Sequence, residues 1–521
     1  MSPLLSSSIS DLKHIIRGFQ ADQEKTKKQI ETLQNKFHIS QNETRKLENE
    51  NRFLLEQLRY LQAKLFGKKS EAFPAHLAQL FDESELEEKK EKAEERIQIA
   101  AHEKRKPKRE MLPEHLPREE VMVEIPIAER RCDQGHELQE MGEEISEQLD
   151  IEPMKVKVKR TIRKKYACPK CTGYLKTAEN PPTAIPKSMA APGLLSYIAV
   201  SKYVDALPLY RLEEVFSRCQ VELSRGTMAS WMIKVGGVLT PLWNLLNDEL
   251  LESGYIHCDE TRVQVLKEPG KTAESLSYMW VRAREGPGVP PIILFNYAPS
   301  RSGQVPVNLL EGYQGYLQVD GYEGYNTICA SPQVTRVGCF AHVRRKFFEA
   351  AQASKKGTSL SDQALSVIQT LYAVEKEIKD QPIATRLERR SRQSKPILDQ
   401  FFCWLEKHLG AVPPQSKLGQ ALGYTLRQWP SLTVYCQDGR LSIDNNFVEN
   451  AIRPFAIGRK NWLFSDSQNG AEASSIIYSI AQTAKANGLN LNLYFRTILE
   501  KIPFAKTADD YDKLLPHKIT L

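Results

Sequence analysis

Two apolar runs that each stop on an aspartate constrain this chain more than any other feature of its 521 residues. The first, Tyr255 to Thr261, reads YIHCDET, a short strand pattern that closes on Asp259. The second lies in Gly315 to Asn326, GYLQVDGYEGYN, and delivers Asp320 into a Gly/Tyr-rich turn. A charge at the end of a buried run is costly unless something compensates it. Two such runs therefore point to a shared cation rather than to ordinary surface aspartates. Strand-like alternation continues over Val263–Leu266, Leu276–Ala283, Ile292–Tyr297, Tyr316–Asp320 and Arg336–Phe340, and helical sequence follows over Ala341–Ala351 and Leu360–Leu409.

Three strands, a strand ending on a carboxylate and then helices is the order of a ribonuclease H-like mixed α/β sheet, with a helical insertion over about residues 355–425. The last acidic helix is carried by Leu441 to Pro454, LSIDNNFVENAIRP, which sets Glu449 one turn beyond Asn445. Asp259, Asp320 and Glu449 are thus the candidate catalytic and metal-ligating acids. Together they suit two Mg²⁺ ions about 4 Å apart acting on a DNA phosphodiester, one activating a water or a 3′ hydroxyl and the other stabilising the leaving oxygen. Arg453, a turn further on, competes as a partner for Glu449. Asp444 sits where a helix N-cap belongs and is read as a cap. Cys339-x-x-His342 lacks a nearby second half and is read as structural, while Arg344, Arg345 and Lys346 beside it are phosphate-contact candidates.

Length calls for several domains. The chain divides into a leader (1–70), a charged linker (71–120), a cysteine-bearing segment (121–180), a helical region (181–253), the acid-bearing α/β domain (254–456) and a C-terminal helical domain (457–521). A net charge of +7 excludes a histone-like polycation, so a nucleic-acid surface must come from local segregation of charge. Neither a spanning run of roughly 18 apolar residues nor a secretory leader pattern is found, which predicts a cytoplasmic protein without a membrane partner. Nine cysteines are too few and too scattered for a disulfide scaffold.

In the leader, Ile30, Phe37, Thr44, Asn51, Leu58 and Leu65 fall at heptad position a, and Leu33, Ser40, Leu47, Leu54 and Leu61 at d. Asn51 at an a position favours a parallel two-stranded register, predicting a homo-oligomer through a coiled coil. A solvated helix packed on the protein's own body is the alternative. In the cysteine segment, Cys168-Pro-Lys-Cys171 is a knuckle that presents two thiolates to Zn²⁺, with Cys132 and His136 as the other half. Gly135 stands where a second cysteine belongs, so an unmetallated ribbon is the alternative. Lys155, Lys157 and Lys159 alternate with Val156 and Val158, which by period-2 geometry makes a lysine row on one strand face, extended by Arg160. Such a row suits phosphate contact.

Leu209–Phe216 and Ser224–Val235 are read as two short helices, the second started by Ser224, and make a candidate helix-turn-helix, with an all-helical packing subdomain as the alternative. Past the acidic helix, Arg459, Lys460, Asn461 and Trp462 combine base and aromatic ring, suiting a DNA end, with a core tryptophan flanked by surface cations as the plainer reading.

HCDET, QVDGYEGYN and DNNFVENAIRP, with LFGKKSE, SEQLD, KYVDALPLYR, GCFAHVRRKF and GRKNWLFSDSQNGAEASS, resemble in their order the transposases of the insertion sequence 66 family. The resemblance covers nearly the whole chain. It implies a DDE-type transposase in which Asp259, Asp320 and Glu449 bind Mg²⁺, cut DNA at the element's ends and join a 3′ hydroxyl to target DNA. It also implies a zinc-finger-like segment, end recognition by the N-terminal half, accessory proteins of the same element and a place on the bacterial nucleoid. A non-catalytic DNA-binding regulator and a structure-selective nuclease on the same fold are the competing functions.

Overall fold

The computed structural model describes residues 155–167, 175–352 and 359–521 and, with gaps, residues 18 to 58. The chain divides into two units, Met1–Pro74 with Arg163–Leu521, and Ala75–Ile162. Residues 24–41 are helical, and Ile30, Leu33, Phe37, Leu47, Leu54 and Leu58 are each at least half exposed. Their apolar row is therefore uncovered among the described residues. Cys132, His136, Cys168 and Cys171 lie outside the described residues. The expected lysine-row strand is corrected: residues 155–162 form no strand, and Val156 and Val158 are exposed, Val158 at 92%. With no apolar face to bury, the alternation has nothing to pair against. Two short strands, β1 (Lys165–Ala167) and β2 (Leu175–Thr177), make an antiparallel pair just after it.

Helices α1 (Pro192–Tyr203), α2 (Leu209–Arg218) and α3 (Arg225–Leu251) follow. Ser224 caps α3, its hydroxyl accepting from Thr227 N at 3.2 Å. The helix then runs 27 residues, past the expected end at Val235 and through Pro241. Its buried stripe, Met228, Met232, Val235, Leu239, Leu242, Leu246 and Leu250, continues without a break, so tertiary burial outweighs the missing proline N–H. Gln220 takes φ +59° in the turn before it, a left-handed conformation that favours glycine.

The sheet consists of β3 (Tyr255–Lys267), β4 (Leu276–Gly286), β5 (Val289–Ala298), β6 (Gly315–Gln318), β7 (Val334–Val337) and β8 (Ser465–Ser467). Its order is β5-β4-β3-β6-β7, with β3, β4 and β5 antiparallel, β6 and β7 parallel to β3, and β8 pairing further along β3. The runs expected as separate strands at Tyr255 and Val263 are one strand of 13 residues.

After β7 come α4 (Phe340–Gln352), α5 (Leu360–Ile378), α6 (Lys395–Leu409) and α7 (Lys417–Leu432), then α8 (Asn446–Trp462), α9 (Gln468–Ala486) and α10 (Leu491–Lys501). The inserted helices do not form a body of their own. Their Ile368, Phe401, Leu405 and Leu422 share one core with Tyr255, Val337 and Phe340 of the sheet region. Likewise the helical region and the C-terminal helices, expected as separate domains, pack in the same unit as the sheet.

The outer edge of β5 is closed by α9. Ser479 Oγ accepts from Phe295 N at 2.7 Å, Thr483 Oγ1 accepts from Ile293 N at 3.0 Å and donates to Ile293 O at 2.9 Å, and Asn487 Nδ2 donates to Pro291 O at 3.0 Å. Four helical residues rise about 6 Å and two strand residues about 6.6 Å, so side chains four apart on α9 keep step with alternate residues of β5. A polar stripe on a buried helix thus completes a strand edge that a partner strand would otherwise satisfy. Thr483→Val strands the N–H and C=O of Ile293, and the expected loss is about 1–3 kcal/mol of unfolding free energy by chemical denaturation with the native spectrum retained.

Candidate active site

On β3, residues alternate between two faces. His257 and Asp259 share one, Cys258 and Glu260 the other. The parallel ladder matches His257 to Gln318, so the next two steps along each strand direction lead to Asp259 and to Asp320, which lies just past the end of β6. On the edge of β3 away from β4, β6 is the partner up to His257 and β8 only from Val265. The acids stand in that opening.

The segment leading to Glu449 is stitched to both strands from below. The Tyr255 hydroxyl donates to Gln318 Oε1 and accepts from Ser442 N at 2.9 Å, while Gln318 Nε2 donates to Ser442 O at 3.1 Å. Asn445, 1% exposed, donates through Nδ2 to Cys258 O at 3.0 Å and holds His257 Nδ1 at 2.9 Å through Oδ1. Burial lowers His257 to a pKa of about 4, so its ring is neutral and Nδ1–H is the donor to Asn445. Glu449 lies in the first turn of α8, where the helix dipole favours a carboxylate. The N-cap is Asn445, without a side-chain cap bond, and not Asp444 as expected; Asp444 closes an Asx turn just ahead of the helix, its Oδ1 accepting from Asn446 N at 3.1 Å while Oδ2 takes the Tyr372 hydroxyl at 2.8 Å. Burial raises Asp444 to about 6.

The Asp259 carboxyl is held well above the ordinary carboxylate range, first by burial, then by the charges of Glu260, Asp320 and Glu449. Its Oδ1 accepts from Glu260 N at 2.9 Å. Asp320 closes an Asx turn onto Tyr322 N at 2.9 Å, and Arg336 fixes the same turn by donating to Asp320 O at 2.6 Å. Gly321 is required here, because a Cβ would stand 2.6 Å from the Tyr424 ring of α7. On the far face of β3, Glu260 accepts from Tyr325 at 2.6 Å and Arg301 at 2.7 Å, and Arg301 lies 3.7 Å over the Tyr322 ring. This second layer braces the Asp320 turn. The sequence reading missed it because Glu260 and Arg301 are 41 residues apart.

Glu449 faces His342, with Nδ1 and Oε1 3.7 Å apart. Cys339 Sγ, at the start of α4, accepts from Asn445 N at 3.2 Å. Cys339, His342 and Glu449 have ligand atoms all within 4.8 Å of one another among the described residues, and Asp259 and Asp320 are not in that trio. Of the basic candidates, Arg344 is partly buried, Arg345 is exposed and Lys346 lies 4.6 Å over the Tyr424 ring. Arg459 is turned inward, donating to Thr261 Oγ1 at 3.3 Å and to Arg262 O, and Lys460 is exposed. Trp462 packs edge-on against Phe455 at 5.4 Å, with Lys202 over its ring at 5.6 Å, and Asn461 bonds Ala206 O at 3.0 Å.

A model described as the transposase IS66 family matches residues 187–473. Its companions match too: the zinc-finger binding domain of transposase IS66 over 129–172, transposase C of IS166 homeodomain over 54–121, and the IS66 C-terminal element over 479–517. Two relatives come from Sinorhizobium fredii (strain NBRC 101917 / NGR234). Uncharacterized protein y4jD is 32% identical over 78% of this chain and 81% of its own length, and uncharacterized protein y4qI is 34% identical over 79% and 78%. No helix among the described residues is long and apolar enough to cross a membrane. With more than half of its length inside one family model and three further models matched in order, the chain belongs to the IS66 transposase family.

Proposed function

We propose that this transposase cuts DNA at the ends of its mobile element and joins the freed 3′ hydroxyl to target DNA, with Asp259, Asp320 and Glu449 holding a pair of Mg²⁺ ions. The observation that carries the reading is the carboxyl of Asp259: buried, beside Glu260 and within reach of the charges of Asp320 and Glu449, it is held well above its ordinary range. Like charges brought together from three distant stretches destabilise the fold unless a cation joins them. Glu449 Oε1 is buried without a hydrogen bond, as a ligand atom awaiting an ion is. The sheet supports a ribonuclease H-like core: three antiparallel strands, then two parallel to the first, with Asp259 on β3 and Asp320 just past the end of its parallel neighbour β6.

When bound, two divalent ions supply Lewis acidity to the attacking and leaving oxygens of an in-line displacement. The chain's own residues hold the frame. Asp259 of β3, Asp320 past the end of β6 and Glu449 of α8 would hold the ions. Arg345 and Lys346 on α4 are the nearest cations in sequence for the phosphate backbone. The zinc-finger segment and the helical region recognise the element ends. The leader helix pairs with a second copy through its exposed apolar row, and accessory proteins of the element join the complex.

Asp259→Ala is expected to abolish strand cleavage and joining with Mg²⁺ while binding to labelled element ends stays within about twofold; cleavage at the wild-type rate refutes the acid assignment. Metal analysis of the purified protein is expected to find zinc, which Cys168→Ser removes. Asn51→Leu is expected to change the oligomer mass measured by light scattering, because it removes the polar residue that sets the two-stranded register.

A further inference from the structure

The acid cluster has a neighbour that the three acids do not need. Cys339 precedes α4 and His342 stands in its first turn, a spacing that sets sulfur and ring side by side, as in a metal knuckle. Cys339 Sγ accepts backbone N–H bonds from Asn445, at 3.2 Å, and from His342. Burial holds the Cys339 thiol well above its usual range and these bonds only partly offset that, so an incoming cation has to displace the thiol proton. Across from them, Glu449 rises from the first turn of α8. His342 Nδ1 and Glu449 Oε1 are both buried, neither makes a hydrogen bond, and they stand 3.7 Å apart. That is too far for a hydrogen bond and close to the separation of two ligands about 2 Å from a common tetrahedral ion.

We infer that Cys339, His342 and Glu449 form a site for one divalent transition-metal cation such as Zn²⁺ rather than Mg²⁺, with Mn²⁺ as a paramagnetic probe of it. The inference rests on the reading of Glu449 as a cation ligand and changes it at one ion, since the ion at Glu449 then takes a nitrogen and a sulfur in addition to oxygen and Mg²⁺ stays with Asp259 and Asp320. Magnesium demands hard oxygen ligands, whereas imidazole and thiolate select transition ions. The charges close: a thiolate and a carboxylate against a divalent cation leave a neutral group beside the neutral imidazole. Two helix N-termini converge on the site and favour its anionic ligands.

The test uses the full-length protein loaded with one equivalent of zinc, which the thiolate-richer finger segment takes first, and then titrated with Mn²⁺, which at the weak end of the affinity series leaves that zinc in place. Pulsed electron paramagnetic resonance reads ¹⁴N coupling to the bound manganese. The expected result is nitrogen coupling in the wild type, lost in His342→Ala and in Glu449→Gln. His342→Ala is also expected to weaken Mn²⁺ binding at least about tenfold with a smaller effect on Mg²⁺. Cys339→Ser keeps the coupling and lowers Mn²⁺ affinity. His342→Gln, closer in shape, replaces the alanine variant if its melting temperature falls. Retained coupling and unchanged Mn²⁺ affinity in the His342 variant overturn the inference and leave His342 as a simple neighbour of Glu449. Asp259→Asn in the same titration separates the two readings. If it abolishes Mg²⁺ binding while the His342 variant changes nothing, the acid site stands and this one falls. If it changes nothing while His342→Ala removes the coupling, the acid site falls alone.

Discussion

The arrangement depends on one strand changing its partner. β4 accompanies β3 on one side over most of its length, but on the other side β6 leaves after His257 and β8 arrives only at Val265. A strand edge opened in the middle of a sheet leaves backbone groups that must be satisfied. Here side chains from α8 and the loop before it do so: Asn445 takes Cys258 O and Arg459 takes Arg262 O. These two residues lie 14 positions apart around a helix about 21 Å long over that span, whereas the carbonyls they meet are about 13 Å apart along the strand. The arginine side chain spans the difference. α8 therefore acts as a strap across the opening, and Glu449 is carried on the strap.

The inserted helices belong to the same device. Arg390, fully buried, makes five hydrogen bonds: two to the Glu375 carboxylate and one each to the carbonyls of Tyr435, Asp438 and Leu441. All five guanidinium N–H groups are thereby satisfied, which a buried arginine requires. Its carbonyl partners lie in the stretch that turns the chain toward Ser442 and Asn445. The insertion thus sets the approach of α8 to β3, and on its other side Tyr424 of α7 fills the space over Gly321 in the Asp320 turn. Both outer acids are positioned by helices absent from the minimal sheet.

The elements most legible in the sequence were those in which local pattern and tertiary burial agree. Apolar runs closing on Asp259 and Asp320 marked strands because each aspartate interrupts an otherwise buried alternation, and Ser224 marked a helix start because its hydroxyl has a local N–H to meet. The misses have physical causes of the opposite kind. Glu260, Thr261 and Arg262 break the apolar pattern of β3, yet the strand continues because their partners, Arg301, Tyr325 and Arg459, arrive from elsewhere. Val156 and Val158 alternate with lysines as a strand does, yet nothing covers them. Arg459 resembles a surface cation until the opened edge of β3 is known. His342 was legible as part of Cys-x-x-His but not as a neighbour of Glu449, because they lie 107 positions apart in the chain with α5, α6 and α7 between them.

Electrostatics explains why such a cluster is held so rigidly. Three ionised carboxylates carry a formal charge of −3 and repel a phosphodiester, itself −1, with an energy that grows as the site is dried. The uncharged state is correspondingly favoured, as the raised Asp259 shows. Under the proposed function, two divalent ions would bring +4, and the sum of +1 would attract the strand that the bare acids reject. A flexible cluster would escape its own repulsion by moving apart, and so lose the geometry that makes ion capture favourable. Asn445, Gln318 and Arg336 deny it that escape by fixing the backbone on either side of each acid. The hydrogen-bonded frame keeps the charges together before any ion arrives, so that cation binding and DNA approach become linked through a single reversal of sign.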